Sequence, residues 1–227
     1  LKHADDYGLT VKEFDKDFDA VVNRSRNVAD GMSKGVQFLM KKNKIDVISG
    51  YGTLKPGKKL DVDGTEYSAK HIIIATGARS RELPNLPQDG EKVIGYRKAM
   101  TLEKQPKKLV IVGSGAIGVE FAYFYNSMGT DVTIVEYLPR IVPVEDADVS
   151  KQLERSFKKS GIKILTSTEV TSVDTSGDGV KATIKTKKGE QVLEADMVLS
   201  AVGIKTNIEN IGLEDVGIVT DRDKILV

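Results

Sequence analysis

The chain has 227 residues, 40% hydrophobic and 30% charged, the balance of an ordinary globular protein with apolar mass enough for a sizeable core. Its 34 Lys+Arg against 33 Asp+Glu leave a net charge of +1, so no field steers it toward nucleic acid or an anionic membrane, and no apolar run approaches the roughly 20 residues of a membrane span. The absence of cysteine removes a thiol nucleophile, an internal disulfide and a thiolate metal site, and fits a reducing compartment.

The first residues, with Asp5, Asp6 and Glu13, carry neither a signal nor a transit pattern, and His3 is a terminal residue with no partner pattern around it. Apolar residues at helical spacing (Phe14, Phe18, Val21, Val22, then Val36, Phe38 and Leu39) predict a helix over 14–42, and 45–48 reads as a strand. Short alternating segments follow, punctuated by Lys55-Pro-Gly and Asp63-Gly, and then an apolar strand over 72–75 that leads into Ala75-Thr-Gly77. Further on, 109–112 is a short apolar run of the kind that forms a buried parallel strand, broken sharply by Gly113-Ser-Gly115. A helix over 116–128 and a strand over 131–135 come next, the strand ending in Glu136. A helix over 148–159, a strand over 162–165, alternating segments with turns at Ser176-Gly-Asp-Gly and Lys188-Gly, and a closing apolar strand over 197–201 complete the series.

The central run, Gly113-Ser114-Gly115-Ala116-Ile117-Gly118-Val119-Glu120, is a GxGxxG between strand and helix. Glu136 follows the glycines by about 20 residues, at the end of the second strand, as the dinucleotide fingerprint requires. Gly113 permits the tight turn, Gly115 lets amides approach a pyrophosphate, and Gly118 lets the helix lie close on the sheet. The helix N-terminus offers oriented N–H groups, and Glu136 is placed to accept hydrogen bonds from the hydroxyls of an adenine ribose. This context points to NAD, with the 2′-phosphate of NADP disfavoured by Glu136.

Two stretches echo each other: 66–77 and 192–203 both run from a polar lead-in through an apolar strand to Ala-x-Gly, and each is preceded by helix, strand and meander. The expected fold class is therefore α/β, with tandem three-layer Rossmann-like FAD/NAD(P)-binding units carrying β-meander insertions. The first unit is truncated, because no Gly-rich turn precedes its helix. The expected division is 1–79 as the remainder of an FAD-binding domain, 80–205 as an NAD-binding domain, and 206–227 as a return to the first domain, docked on it. A start at Leu1 and an end in an apolar run make the chain read as an internal fragment of a longer protein; a natural short protein with a degenerate first unit is the alternative.

These tandem units resemble the flavoprotein disulfide reductases. Within that family, Lys44-Ile-Asp-Val-Ile-Ser-Gly-Tyr51-Gly52, Val135-Glu-Tyr-Leu-Pro-Arg-Ile-Val-Pro143, Lys151-Gln-Leu-Glu-Arg and Ile211-Gly-Leu-Glu-Asp-Val-Gly217 are similar to the dihydrolipoyl dehydrogenase branch. The resemblance implies an NAD-dependent, FAD-containing oxidoreductase that passes electrons from a dihydrolipoyl dithiol through a disulfide and flavin to NAD. It implies a homodimer serving 2-oxoacid dehydrogenase or glycine-cleavage complexes, in the cytoplasm or, in a eukaryote, the mitochondrial matrix. Carried over by position, NAD contacts are residues 113–120, Glu136, Val170 and Gly203, while Gly52, Thr76, Gly77 and Ala78 form the rim of an FAD site. The FAD-phosphate GxGxxG, the redox cysteines and the C-terminal His–Glu pair of the family have no counterpart here, so the chain alone is expected to be inactive. The alternatives are a non-catalytic NAD(H)-sensing module and another NAD-dependent disulfide reductase, of glutathione or mercuric type.

Other candidates read as structural. His71 is a strand-surface residue without a nucleophile partner. Glu145, Asp146 and Asp148 suit a helix cap better than a metal, and Asp221 and Asp223 flank Arg222 in a turn. Tyr123, Phe124 and Tyr125 are expected to pack against the sheet or a neighbouring domain.

Overall fold

A computed structural model describes residues 4–227. His3 lies outside the described residues. After a 3-10 turn over Asp5–Tyr7 comes α1 (Phe18–Lys42), whose first turn is capped by Asp17 accepting from the Ala20 amide at 2.9 Å. Phe14 therefore falls outside the helix that its spacing suggested. Of the apolar stripe on α1 only Phe18 is buried, against Phe124 and Tyr125; Val28, Met32, Val36, Phe38 and Leu39 face outward.

An antiparallel meander follows, β1 (Gly52–Lys55), β2 (Lys59–Val62) and β3 (Thr65–Ser68), in that spatial order. The stretches 45–48 and 72–75, both expected as strands, belong to no strand. Ile45, Val47 and Ile48 are exposed, as is Ile73 at 89%. A strand exists only beside a neighbouring strand, and among the described residues none pairs with these two segments; the Ile45 amide closes instead onto the Met40 carbonyl at the end of α1.

The elements that follow include the principal sheet. After β4 (Ala78–Ser80) come β5 (Val93–Ile94), α2 (Tyr96–Ala99), β6 (Lys108–Val112), α3 (Ala116–Met128), β7 (Asp131–Val135), α4 (Ala147–Lys159) and β8 (Lys163–Leu165). A second meander, β9 (Glu169–Asp174), β10 (Val180–Thr186) and β11 (Gly189–Ala195), precedes β12 (Met197–Ser200) and β13 (Ile204–Thr206). The sheet is wholly parallel, in the order β5-β12-β6-β7-β8.

Both faces of this sheet are covered, which is why β6 is continuously apolar. Leu109 and Ile111 point to one face and join Ala122, Tyr125 and Phe157 from the helices; Val110 and Val112 point to the other and join Val170, Ala182 and Ile184 of the meander. Each fully buried aliphatic side chain of this kind contributes about 2 kcal/mol of transfer free energy. Tyr125 is fully buried, its hydroxyl donating to the Ala99 carbonyl at 2.6 Å, and burial raises its pKa; Tyr123, by contrast, stands exposed. Asp146 caps α4 by accepting from the Asp148 amide, the role expected of that acidic cluster.

Two stretches of chain link the first meander to the principal sheet, and they pair: β4 lies antiparallel to β13. Beyond β13 the chain runs onto the first meander. The Leu54 amide donates to the Ile211 carbonyl, and Ile211 and Leu213 bury against Leu54. A terminal hairpin, β14 (Thr220–Asp221) and β15 (Lys224–Ile225), turns at Arg222, and Asp223 pairs with Arg81 at 2.7 Å.

Candidate dinucleotide groove

In an open parallel sheet, ligands bind beyond the carboxyl ends of the strands where the strand order reverses. Here that point lies between β6, from which the chain proceeds to β7 and β8, and β12, to which it returns on the other side. A groove of about 830 Å³ opens there. Its floor and walls combine the turn Gly113–Ile117, the end of β7 with Glu136, Val170 of β9, and Val202 and Gly203 after β12.

The tight geometry of the turn explains its glycines. Gly113 has φ +98°, and a Cβ there would lie 2.4 Å from the Ala201 carbonyl oxygen. A Cβ on Gly118 would stand 2.1 Å from the Gly113 carbonyl oxygen, so α3 approaches the turn as closely as backbone allows. Gly115 has open space where a Cβ would project, and as the N-cap of α3 it supplies no side-chain hydrogen bond. The first-turn amides of α3 thus face the groove without a side-chain acceptor, an arrangement suited to a phosphate.

Glu136 is 7% exposed and is held by three donors. Its Oε2 accepts from the Ser114 amide at 2.8 Å and from the Ser114 hydroxyl at 2.6 Å, and its Oε1 accepts from the Leu138 amide at 2.7 Å. The sequence placed Glu136 beside the groove but gave no sign of this internal contact with Ser114. Arg140 does not turn toward the carboxylate; its guanidinium donates to the carbonyls of Pro143 and Glu145. Val142 adopts φ +41°, a strained backbone for a β-branched residue, and its amide donates to the Ser114 carbonyl at 2.9 Å.

The other expected positions divide clearly. Gly113, Ser114, Gly115, Ala116, Ile117, Glu136, Val170 and Gly203 all border the groove. Gly118 and Val119 are buried beneath it, and Glu120 points to solvent from α3. Leu83, Asn85 and Leu86, which the sequence did not single out, form a further wall, with the Asn85 side-chain amide donating to the Val170 carbonyl. They sit in an irregular loop with no motif, and only the tertiary structure brings them to the site.

The residues carried over as an FAD rim lie elsewhere. Gly52 begins β1 with the Leu60 side chain 3.4 Å from where a Cβ would sit. Thr76 and Gly77 form an exposed turn whose carbonyls accept from the side-chain and backbone amides of Asn207, and Ala78 begins β4. Among the described residues no cluster of His, Cys, Asp and Glu could hold a metal ion, and no helix is long and apolar enough to cross a membrane.

A family model described as pyridine nucleotide-disulphide oxidoreductase matches residues 6–227. The chain is 46% identical to a dihydrolipoyl dehydrogenase of Rhizobium etli, over 97% of this chain and 50% of the relative. It is 44% identical to one of Zymomonas mobilis, over 100% of this chain and 50% of that protein. Among solved structures, LpdA of Mycobacterium tuberculosis superposes with a TM-score of 0.86 at 29% identity, covering 98% of this chain and 49% of that one. The HOCl-induced flavoprotein disulfide reductase RclA of Escherichia coli superposes with a TM-score of 0.82 at 25% identity, over 93% and 49%. The chain thus spans about half the length of the curated relatives it matches.

Proposed function

Because the chain belongs to the pyridine nucleotide-disulphide oxidoreductase family, we propose that it is the NAD-binding portion of a dihydrolipoyl dehydrogenase. The observation that carries the reading is the groove itself, with a Gly-rich turn, uncapped helix amides and a buried acidic residue converging at one switch point. In the proposed pose the pyrophosphate lies over Gly113–Ile117, Glu136 receives the adenine ribose, Val170 borders the adenine and Gly203 lies toward the nicotinamide. Gly118 and Val119 act by packing rather than by contact. Glu120 faces away from the groove and toward whatever covers α3. The nicotinamide supplies hydride acceptance; the chain's own residues bind and orient it.

In this reading residues 1–79 and 206–227 belong to one domain, which takes FAD at Gly52 and 76–78, and 80–205 form the NAD domain. The whole enzyme would oxidise the dihydrolipoyl groups of 2-oxoacid dehydrogenase or glycine-cleavage complexes as a homodimer, in the cytoplasm or matrix. The 227 residues hold no cysteine, and reversible disulfide chemistry needs a thiolate and a resolving partner. The chain alone is therefore expected not to reduce NAD with dihydrolipoamide, and to purify without stoichiometric flavin.

Calorimetric titration with NADH and NADPH tests the site. A unit charge pair about 4 Å apart is worth roughly 4 kcal/mol at an effective dielectric of about 20. Even heavily screened, the clash of a 2′-phosphate with Glu136 should favour NADH by at least about tenfold, which is 1.4 kcal/mol. Equal affinities would sink the reading.

A further inference from the structure

Ser114 stands between the first two glycines of the GxGxxG, where the motif itself names no side chain. It is wholly buried, and its amide, hydroxyl and carbonyl are all engaged. The amide and hydroxyl both donate to Oε2 of Glu136, while the carbonyl accepts from Val142, whose backbone is strained. One residue thus ties the phosphate turn to the ribose acid and to the loop after β7.

We propose that Ser114 is a positioning residue that sets discrimination between nicotinamide dinucleotides with and without a 2′-phosphate, acting through Glu136; this rests on the groove being the NAD site. With no exposed surface of its own, the Ser114 hydroxyl has one visible task, to add a third donor to a carboxylate otherwise held by one amide on each oxygen. A carboxylate has about four acceptor positions, and three are filled from within the chain. Both donors on Oε2 come from the Gly-rich turn, whereas the one on Oε1 comes from the loop after β7.

All three donors are neutral groups, and Arg140 is engaged by carbonyls, so nothing in this set cancels the charge that a 2′-phosphate would meet. Rejection by an immovable like charge is specificity through repulsion, and it works only while the charge cannot turn aside. Removing the hydroxyl leaves one amide on each oxygen and gives the carboxylate room to pivot. A ribose hydroxyl, whose O–H rotates to follow a shifted acceptor, should notice far less than a phosphate.

The experiment titrates the 227-residue chain and its Ser114→Ala and Ser114→Gly variants with NADH and with NADPH, with thermal unfolding followed on the same samples. The expected result is a wild-type preference for NADH that narrows roughly tenfold in both variants, chiefly through tighter NADPH binding, the scale of one hydrogen bond to a charged group. Ser114→Gly removes the same hydroxyl together with the Cβ, so a narrowing common to both variants follows from the hydroxyl and not from the methyl that Ser114→Ala leaves behind. Variants that weaken both cofactors equally, or lower the melting temperature at an unchanged ratio, give Ser114 a merely structural role and overturn the proposal while leaving the site intact. A wild-type chain that binds both cofactors equally, or neither, overturns the NAD site and this inference with it.

Discussion

Residues 72–75 and 197–200 stand at nearly the same place in the repeat, each with three large apolar residues, then a small one, and a glycine within three residues, yet they meet different fates. The second becomes β12, paired with β5 on one side and β6 on the other, with Val198 and Leu199 wholly buried. The first joins no strand and leaves Ile73 89% exposed. The difference lies in what stands beside them. A parallel strand is stabilised by neighbours on both edges and layers on both faces, and the local sequence supplies none of these. The same contrast separates 45–48 from β8, each a short apolar run after a long helix, of which only β8 reaches a sheet.

Hydrogen exchange should show this contrast at its largest. Amides of 109–112, 133–135 and 197–201 should open only with global unfolding, while 45–48 and 72–75 exchange close to the free-chain rate, a separation of several powers of ten. Equal protection at 72–75 in a dilute monomer would break the comparison.

Substitution sharpens it. Leu199→Ala should cost about 3 kcal/mol in urea unfolding, the price of a cavity in a close-packed layer, whereas Ile73→Ala should fall within about 0.5 kcal/mol of the parent. Two glycines divide the same way. Gly118→Ala drives a Cβ into the Gly113 carbonyl and should destabilise by about 3 kcal/mol and weaken NADH binding. Gly77→Ala meets nothing nearer than the Asn207 side chain at 4.0 Å, so only its φ of +71° is penalised, at about 1 kcal/mol, with NADH binding unchanged.

The smallest effect belongs to the ribbon joining the regions. Glu209 pairs with Arg79 through two hydrogen bonds, at 2.7 and 3.1 Å, and with Lys205 at 2.7 Å. Hydrogen bonds from Arg79 and then Lys205 hold the Glu209 carboxyl well below the usual carboxylate range, and the Arg79 guanidinium is raised in turn. A depressed carboxyl contributes its stability above its unfolded pKa and loses it as pH falls through the lower folded value. The clamp should therefore survive at pH 4 and loosen only below the ordinary range. All three side chains are well exposed, so solvent and salt screen the cluster. Glu209→Gln should shift the melting temperature slightly at low salt and imperceptibly at high salt. A large shift at high salt would show that the ribbon carries more of the coupling between regions than its exposure allows.

The sequence by itself determined what local chemistry controls. The helix over 116–128 and the strand over 131–135 lie where the glycines and the alternation placed them, both meanders form at the turn signals, and Asp146 caps its helix. It also brought Glu136 within reach of the Gly-rich turn, because a strand-turn-helix-strand unit returns the chain to the same edge of the sheet. What only the tertiary structure decided depends on partners distant in sequence. Whether 45–48 and 72–75 became strands hinged on neighbours, not on their own residues. The helix over 18–42 buries Phe18 while most of its apolar stripe stays exposed, a distinction its periodicity could not make. Leu83, Asn85 and Leu86 reach the groove through a loop without a motif, and Ser114 meets Glu136 across 22 residues. Periodicity and turn chemistry act over a few residues; strand partners, burial and hydrogen-bond acceptors are assigned by the packed whole.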